Sequence, residues 1–325
     1  MSEKHIRHTR RQFMGLTGAA FFWPATLGAS QLEALGGQAF GTTWRLAVAE
    51  NAGAADVVSD IREVFALIDQ QMSPWRDDSN ISQFNRSKAG IFEVPDDMAH
   101  VTKTALQVAR NSDGFFDPTV GPLVSRWGFG PIEGSVQSDW NAISLRDNGL
   151  RKSAGGATLD LCGIAKGWAL DRAVALVRDA GIERALFDLG GELSAVGKHP
   201  SGRDWQVAVE HPWSQAKAPI VLRLPAGKSV ATSGIRGQNY EFDDRLYSHI
   251  IDPVSGAPAE SKLRSVSVMS AEATLADGWA TALFAAGETS GPVLARDLGI
   301  DALFLVEKDD RIHVETTGQM EVYLL

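Results

Sequence analysis

The chain has 325 residues but only one cysteine, Cys162, so no intramolecular disulfide can staple it. It is not basic either: 40 acidic side chains outnumber 31 lysines and arginines, giving a formal charge of −9. The first thirty residues hold four basic side chains and one acidic, a net of +3, so the remainder carries −12. A body that acidic argues against nucleic acid as the main partner, although a nucleotide needs only local positive charge or a bound cation. Neither common glycine-rich nucleotide fingerprint occurs, since there is no G-x-G-x-x-G and no G-x-x-x-x-G-K-[ST]. Clean internal repeats and strict β-α alternation are also missing. Their absence favours an α+β architecture, with mixed, mostly antiparallel sheets and packed helices, over a doubly wound sheet.

The N-terminus reads Thr9-Arg10-Arg11-Gln12-Phe13-Met14, a twin-arginine pattern, followed by a Gly/Ala-rich apolar stretch to about Ala29. That stretch is short and broken by Pro24, which speaks against a stable membrane span. The expectation is a twin-arginine signal peptide over residues 1–30, used for export of folded proteins, and a periplasmic location. No cysteine follows it to carry a lipid anchor. Residues 36–325 remain as a single domain of two intimately associated lobes, with 44% hydrophobic and 22% charged residues overall, ordinary for a globular protein.

Within that body, Thr158–Asp171 (TLDLCGIAKGWALD) stands out. An apolar, strand-like run ends in Asp160, turns through Cys162-Gly163, and opens a helix with Lys166 in its first turn. Free N–H groups at a helix N-terminus and an early lysine suit a phosphate. Cys162 reads best as a small buried filler, because no neighbouring residue hints at thiolate activation.

The chain around it divides into recognisable pieces. Gln38–Glu50 reads as a first strand. Val57–Gln71 carries Val57, Ile61, Val64, Phe65 and Ile68 at helical spacing, and a second helix is expected from Asp96 to Ser112. Between them lie a loop with Trp75 at its tip and a short helical turn from Asp78-Ser79 to Asn85. Residues 114–130 crowd Gly, Pro and aromatics into one long non-periodic stretch, the composition of a binding loop. Strands are expected at Ala185–Leu189, Trp205–Glu210, Pro219–Leu224, Ser265–Ala271, Ala302–Glu307 and Ile312–Thr316, and helices at Ala276–Ala286 and Gly291–Leu298. Asp277 and Thr281 stand at i and i+4, so a carboxylate and a hydroxyl share one helical face. Two such oxygens suit Mg²⁺, which takes its remaining ligands from water, phosphate and a backbone carbonyl, for which the Asp160–Gly163 turn is a candidate. His249 stands at a strand end before Asp252, either as a base for a hydroxyl or as a structural histidine.

The order of these pieces resembles the ApbE family, the FAD:protein FMN transferases. The matching stretches are AFGTTW (39–44), MSPWRDDSNISQFN (72–85), GFFDPTVGPLVSRWGFG (114–130), LDLCGIAKGWALD (159–171), ATSG (231–234), YSHIIDPVSG (247–256) and ADGWATALFAAG (276–287). The resemblance implies a Mg²⁺-dependent transferase that cleaves FAD at its pyrophosphate. FMN is then joined by a phosphoester to a Thr or Ser of an acceptor flavoprotein, and AMP is released. It puts metal ligands at Asp277, Thr281 and the Gly163 carbonyl. Flavin and adenine contacts fall on Phe40, Trp75, Phe115, Phe116, Asp117, Asp160, Lys166 and Ile251, with His249 and Lys166 as catalytic groups. Here Cys162, Trp168 and Phe115-Phe116 depart from the usual residues of that pattern. The leader and AFGTTW also resemble the NosX-like branch linked to nitrous oxide reductase maturation, which implies an acceptor among the membrane flavoproteins of that system. A non-catalytic FAD carrier and an FAD pyrophosphatase are the alternatives that the residues themselves leave open.

Overall fold

The computed structural model describes residues 32–325 apart from 51, 136, 148, 210–219, 236–238, 243, 244 and 260, so the expected twin-arginine leader lies outside the described residues. Eight strands form one antiparallel sheet whose spatial order is the order of the chain. They are β1 (Leu32–Ala39), β2 (Thr42–Ala49), β3 (Ala185–Leu189), β4 (Glu192–Val196), β5 (Ser229–Gly234), β6 (Leu263–Ser270), β7 (Asp301–Lys308) and β8 (Arg311–Thr317). Apart from a last helical turn, Met320–Tyr323, the other elements are inserted between neighbours of this meander. The long β2–β3 connection holds α1 (Val57–Met72), α2 (Asn80–Arg86), α3 (Asp96–Asn111), α4 (Gly121–Arg126) and α5 (Ala165–Asp179). It also holds a three-stranded sheet of Gly90–Phe92, Gly149–Lys152 and Ile143–Arg146. A hairpin, Trp205–Val209 with Ile220–Leu224, fills the β4–β5 connection. Two short ribbons separate β5 from β6, and α6 (Ala273–Asp297) separates β6 from β7.

Period-two burial explains why the sheet holds layers on both faces. In β7, Ala302, Phe304 and Val306 join the core under α6, whereas Leu303 and Leu305 join the core on the opposite face. In β3, Phe187 and Leu189 pack under α1, α3 and α5, whereas Leu186 meets the hairpin side. The two helical cores are the two expected lobes, and a single sheet runs beneath both. Mostly antiparallel α+β is the architecture observed.

The sheet is not uniformly zipped. β3 and β4 pair along their whole length, and all of β5 pairs with Ser265–Ser270 of β6. Between β4 and β5 only Leu193–Val230 and Ser194–Ser229 pair. The sheet therefore opens beside Glu192 on one strand and Thr232–Gly234 on the other.

Three local expectations need correction, and a fourth holds. The single strand over 38–50 is in fact the second half of a hairpin, because Phe40 (φ 51°) and Gly41 (φ 72°) reverse the chain in a two-residue turn with Ala39 opposite Thr42. The stretch 114–130 is not wholly irregular, since Gly121-Pro122 starts α4 with proline in its first turn. The expected break between the two C-terminal helices is present inside α6, at Gly287, which leaves helical geometry at φ 75° and ψ −175°. Thr158–Asp160 is not a strand. Leu159 has no backbone neighbour in a ladder; the Asn85 amide bonds both its N–H and its C=O, at 2.7 and 2.9 Å.

Candidate active site

All twelve residues singled out from the sequence line one cavity of about 1360 Å³ at the opening between β4 and β5. Loops far apart in the chain are gathered there by the two helices α5 and α6, which cap each other. Asp171 on α5 accepts from the first free amides of α6, Ala273 N (2.8 Å) and Thr274 N (2.9 Å), and from the Thr274 hydroxyl (2.6 Å). In return Asp277 on α6 uses Oδ2 to accept from Gly167 N of α5 at 2.9 Å. Each carboxylate thus satisfies orphan donors at the positive end of the other helix. The crossing is close enough to require glycine at 167, where a Cβ would lie 2.4 Å from the Ala273 carbonyl oxygen.

Gly163 stands at the same junction. A Cβ there would be 3.1 Å from Thr281 Cγ2 and 3.3 Å from Phe116, so any larger residue would push a neighbour aside by a few tenths of an ångström. The Thr281 hydroxyl donates to the Gly163 carbonyl at 3.3 Å, and Ser233 Oγ of β5 lies 3.4 Å from that hydroxyl. Asp160 closes the turn by accepting from Cys162 N at 2.9 Å. Cys162 is exposed on the cavity wall, which corrects its reading as a buried filler. The packed surroundings and then the charge of Asp160 push its thiol pKa well above the usual value, so little of it is thiolate at neutral pH and its reactions are slow.

Electrostatically the floor sets Lys166 among carboxylates, with Arg45 acting on Asp188 from beside it and Arg76 and Arg264 elsewhere on the lining. Lys166 forms an ion pair with Glu192. Burial opposes its charge, but Glu192 and Asp277 outweigh that and hold its pKa above the ordinary lysine value. The carboxylates move the other way. Burial pushes Asp188 up to about 6, and burial followed by the charge of Glu192 pushes Asp277 up to about 7. Glu192 is raised for the same reason, and its Oε2 is buried with no hydrogen-bond partner. Such a floor binds an anion only if further positive charge arrives with it.

The side chains that could hold a cation are hard oxygens: the Asp277 carboxylate, the Thr281 hydroxyl and the Gly163 carbonyl, the last two already 3.3 Å apart. That donor set suits Mg²⁺ rather than a softer metal. Among the described residues no group of three or more His, Cys, Asp or Glu side chains is arranged for a metal.

The aromatic wall comes from elsewhere. Phe40, in the left-handed region at the β1–β2 turn, packs edge-on to Phe65 at 5.5 Å. Phe116 is buried in the helical core, Phe115 lies half-buried beside it, and Trp75 is 62% exposed at the cavity rim. Asp117 is buried and accepts from the Thr119 amide (2.7 Å) and hydroxyl (2.6 Å), with burial pushing its pKa up. His249 is half-buried on the opposite wall, edge-on to Phe129 at 6.3 Å, and Ile251 is buried next to it. Asp252 binds the turn amides of Val254 (2.9 Å) and Ser255 (3.3 Å).

Sequence reasoning missed Asp188 and Glu192. A signal was present: ALFDL is an otherwise apolar strand with an acid in it, and a second acid follows Gly190-Gly191. Burying charge in a fully covered strand is costly enough to need a reason.

Known proteins resemble this chain in sequence and fold. The family model described as "ApbE family" matches residues 40–304. A Vibrio cholerae protein described as "FAD:protein FMN transferase" is 32% identical, over 89% of this chain and 92% of its own length. One of the same description from Escherichia coli K12 is 29% identical, covering 93% and 92%. The solved structure "Flavin Transferase ApbE from Vibrio cholerae" superposes with a TM-score of 0.83 at 29% identity, over 91% of this chain and all of that one.

Proposed function

The chain belongs to the ApbE family, and on that premise we propose that it is an FAD:protein FMN transferase. It moves FMN from FAD to a Thr or Ser of an acceptor protein and releases AMP. The observation that carries this reading is the convergence of an aromatic wall, a lysine and a hard-oxygen set on one cavity. At about 1360 Å³ it exceeds the roughly 300–1,000 Å³ of ordinary small-ligand sites, leaving room for a dinucleotide and an approaching side chain.

In the proposed reaction the acceptor hydroxyl oxygen attacks the phosphorus on the riboflavin side of the pyrophosphate. The bond from that phosphorus to the bridging oxygen breaks, AMP departs with that oxygen, and the hydroxyl proton passes to a base. His249, on the cavity wall, is that base in this reading. Lys166 keeps its proton and acts by charge, facing the oxygens where negative charge builds. Phe40, Trp75 and Phe115 offer ring faces and edges to the flavin and adenine, while Asp117 and Asp160 accept from ribose or base donors. Asp277, Thr281 and the Gly163 carbonyl would hold Mg²⁺, which when bound supplies Lewis-acid neutralisation of phosphate oxygens. The carboxylate-rich floor supports that requirement, since Lys166 alone does not offset Asp188, Glu192 and Asp277. With the twin-arginine leader of residues 1–30, we assign the acceptor to the periplasm, a membrane flavoprotein of the nitrous oxide system being the first to try.

The test is incubation with FAD, Mg²⁺ and an acceptor domain that the Vibrio cholerae relative modifies, reading AMP and acid-stable protein-bound flavin. Both products together are expected. AMP without an acceptor would make the protein an FAD pyrophosphatase, and FAD binding without either product would make it a carrier.

A further inference from the structure

The stretch MSPWRDDSNISQFN contributes Trp75 to the cavity, yet its other end does more than lead the chain away. α2 occupies that end, and both of its termini are tied to cavity walls. At its start the buried Ser79 caps the helix by accepting from Ser82 N at 3.2 Å. The same hydroxyl reaches the carbonyls of Ser73 and Arg76, at 2.7 and 3.0 Å, on either side of Trp75. At its end Asn85 projects onto Leu159, 74 residues away in sequence. Its Oδ1 accepts from Leu159 N at 2.7 Å and its Nδ2 donates to Leu159 O at 2.9 Å. The next residue is held from elsewhere, Asp160 N donating to the Pro118 carbonyl at 2.7 Å.

The anchor of Asn85 is unusual in its own right. Lys152 is 1% exposed, and its ammonium donates to three carbonyls at the end of α2: Phe84 (3.2 Å), Asn85 (2.9 Å) and Ser87 (2.9 Å). Those are the acceptors a helix C-terminus leaves unsatisfied, and a cation there also complements the helix dipole. Burial lowers the lysine pKa, and no carboxylate pairs with it among the described residues. A full charge is thus spent on locking one turn of backbone.

We propose that Asn85, locked in place by Lys152, is a positioning residue for the transfer reaction. Its amide stands in for a missing neighbouring strand and sets where Asp160 and the Gly163 carbonyl sit against Thr281 and Asp277. The inference rests on the transferase reading for its purpose, but its geometry can be tested without turnover. Asp160 Oδ1 holds the Cys162 amide, and Cys162 is the only cysteine of the chain, so its thiol reports locally on this turn.

The experiment uses the full chain and three variants, Asn85→Ala, Asn85→Asp and Lys152→Met. It measures the labelling rate of Cys162 by a maleimide, the FAD dissociation constant by flavin fluorescence, and the Mg²⁺ concentration that half-saturates transfer. Losing both amide bonds is expected to speed labelling about tenfold, weaken FAD binding about tenfold and raise the Mg²⁺ requirement by a similar factor. Asn85→Asp keeps the bond from Leu159 N and is expected to fall between wild type and alanine. It also supplies the measurement if Asn85→Ala does not fold. A merely structural residue would lower the folded fraction without moving the constants of the folded protein. Labelling and FAD binding within about twofold of wild type in a cooperatively melting Asn85→Ala protein would overturn the inference. If wild type binds FAD but transfers nothing, the transferase reading fails, while labelling and FAD binding still decide the role of Asn85.

Discussion

Two lysines sit in partly or wholly buried surroundings, and they are used in opposite ways. Lys152 donates to carbonyl oxygens alone, its ammonium lying also over the Phe84 ring at 5.4 Å, and burial pulls its pKa down. Lys166 meets carboxylates, which hold its pKa up in spite of burial, and it opens onto the cavity. The first arrangement satisfies every donor and leaves no charge for a ligand, so it fastens structure. The second leaves an excess of negative charge and an unpartnered Glu192 oxygen, an environment that only an incoming cation or proton relieves. A buried charge whose partners are all satisfied marks a joint, and one whose partners are over-supplied marks a site.

The contrast breaks most sharply at Lys166. Lys166→Met is expected to slow transfer about a thousandfold, a loss of about 4 kcal/mol in transition-state stabilisation, while the protein still folds. Single-turnover kinetics at saturating FAD, beside a melting curve, would check it. Lys152→Met is expected to act chiefly on the fold, costing about 2–4 kcal/mol of stability by urea denaturation because carbonyls at the end of α2 lose a charged donor, with a change in the cavity constants no larger than that of Asn85→Ala. A smaller loss, about 1–2 kcal/mol by the same assay, is expected for Asp171→Ala, which leaves two α6 amides uncapped.

The gentlest probe is pH. Asp188 and Asp277 bind protons more tightly in the folded protein, at about 6 and about 7, than their ordinary 3.8. Their contribution is therefore fully present below about pH 4 and is lost as pH rises through 6 and 7. Without Mg²⁺ the Tm is expected to fall by about 5 °C between pH 5 and pH 8. Added Mg²⁺ should raise it more at pH 8 than at pH 5, and an equal rise at both would remove the carboxylate floor from the cation site.

Much of the molecule was legible in advance. The apolar spacing of Val57, Ile61, Phe65 and Ile68 announced α1, and burial follows that spacing. Seven stretches in family order named twelve site residues, and the fold brings those twelve to one cavity. Short strands such as Gly90–Phe92 went unread, because three residues carry too little periodicity to stand out. Thr158–Asp160 misled because an extended, buried segment looks like a strand whether its partner is a ladder or one asparagine. The opening between β4 and β5 left no trace either, since it depends on how far two strands pair and not on what either contains.

By itself the sequence determined most of the longer elements and which side chains are candidates for chemistry, because periodicity, turn residues and motif order act locally. Lys152 and Lys166 look alike in that record, as do Asp188 and any strand-end acid. Only the tertiary structure decided which lysine fastens and which opens onto the cavity, and which carboxylates are pushed toward neutrality. Those properties come from desolvation and from charges contributed by distant segments, and both exist only once the chain has closed around them.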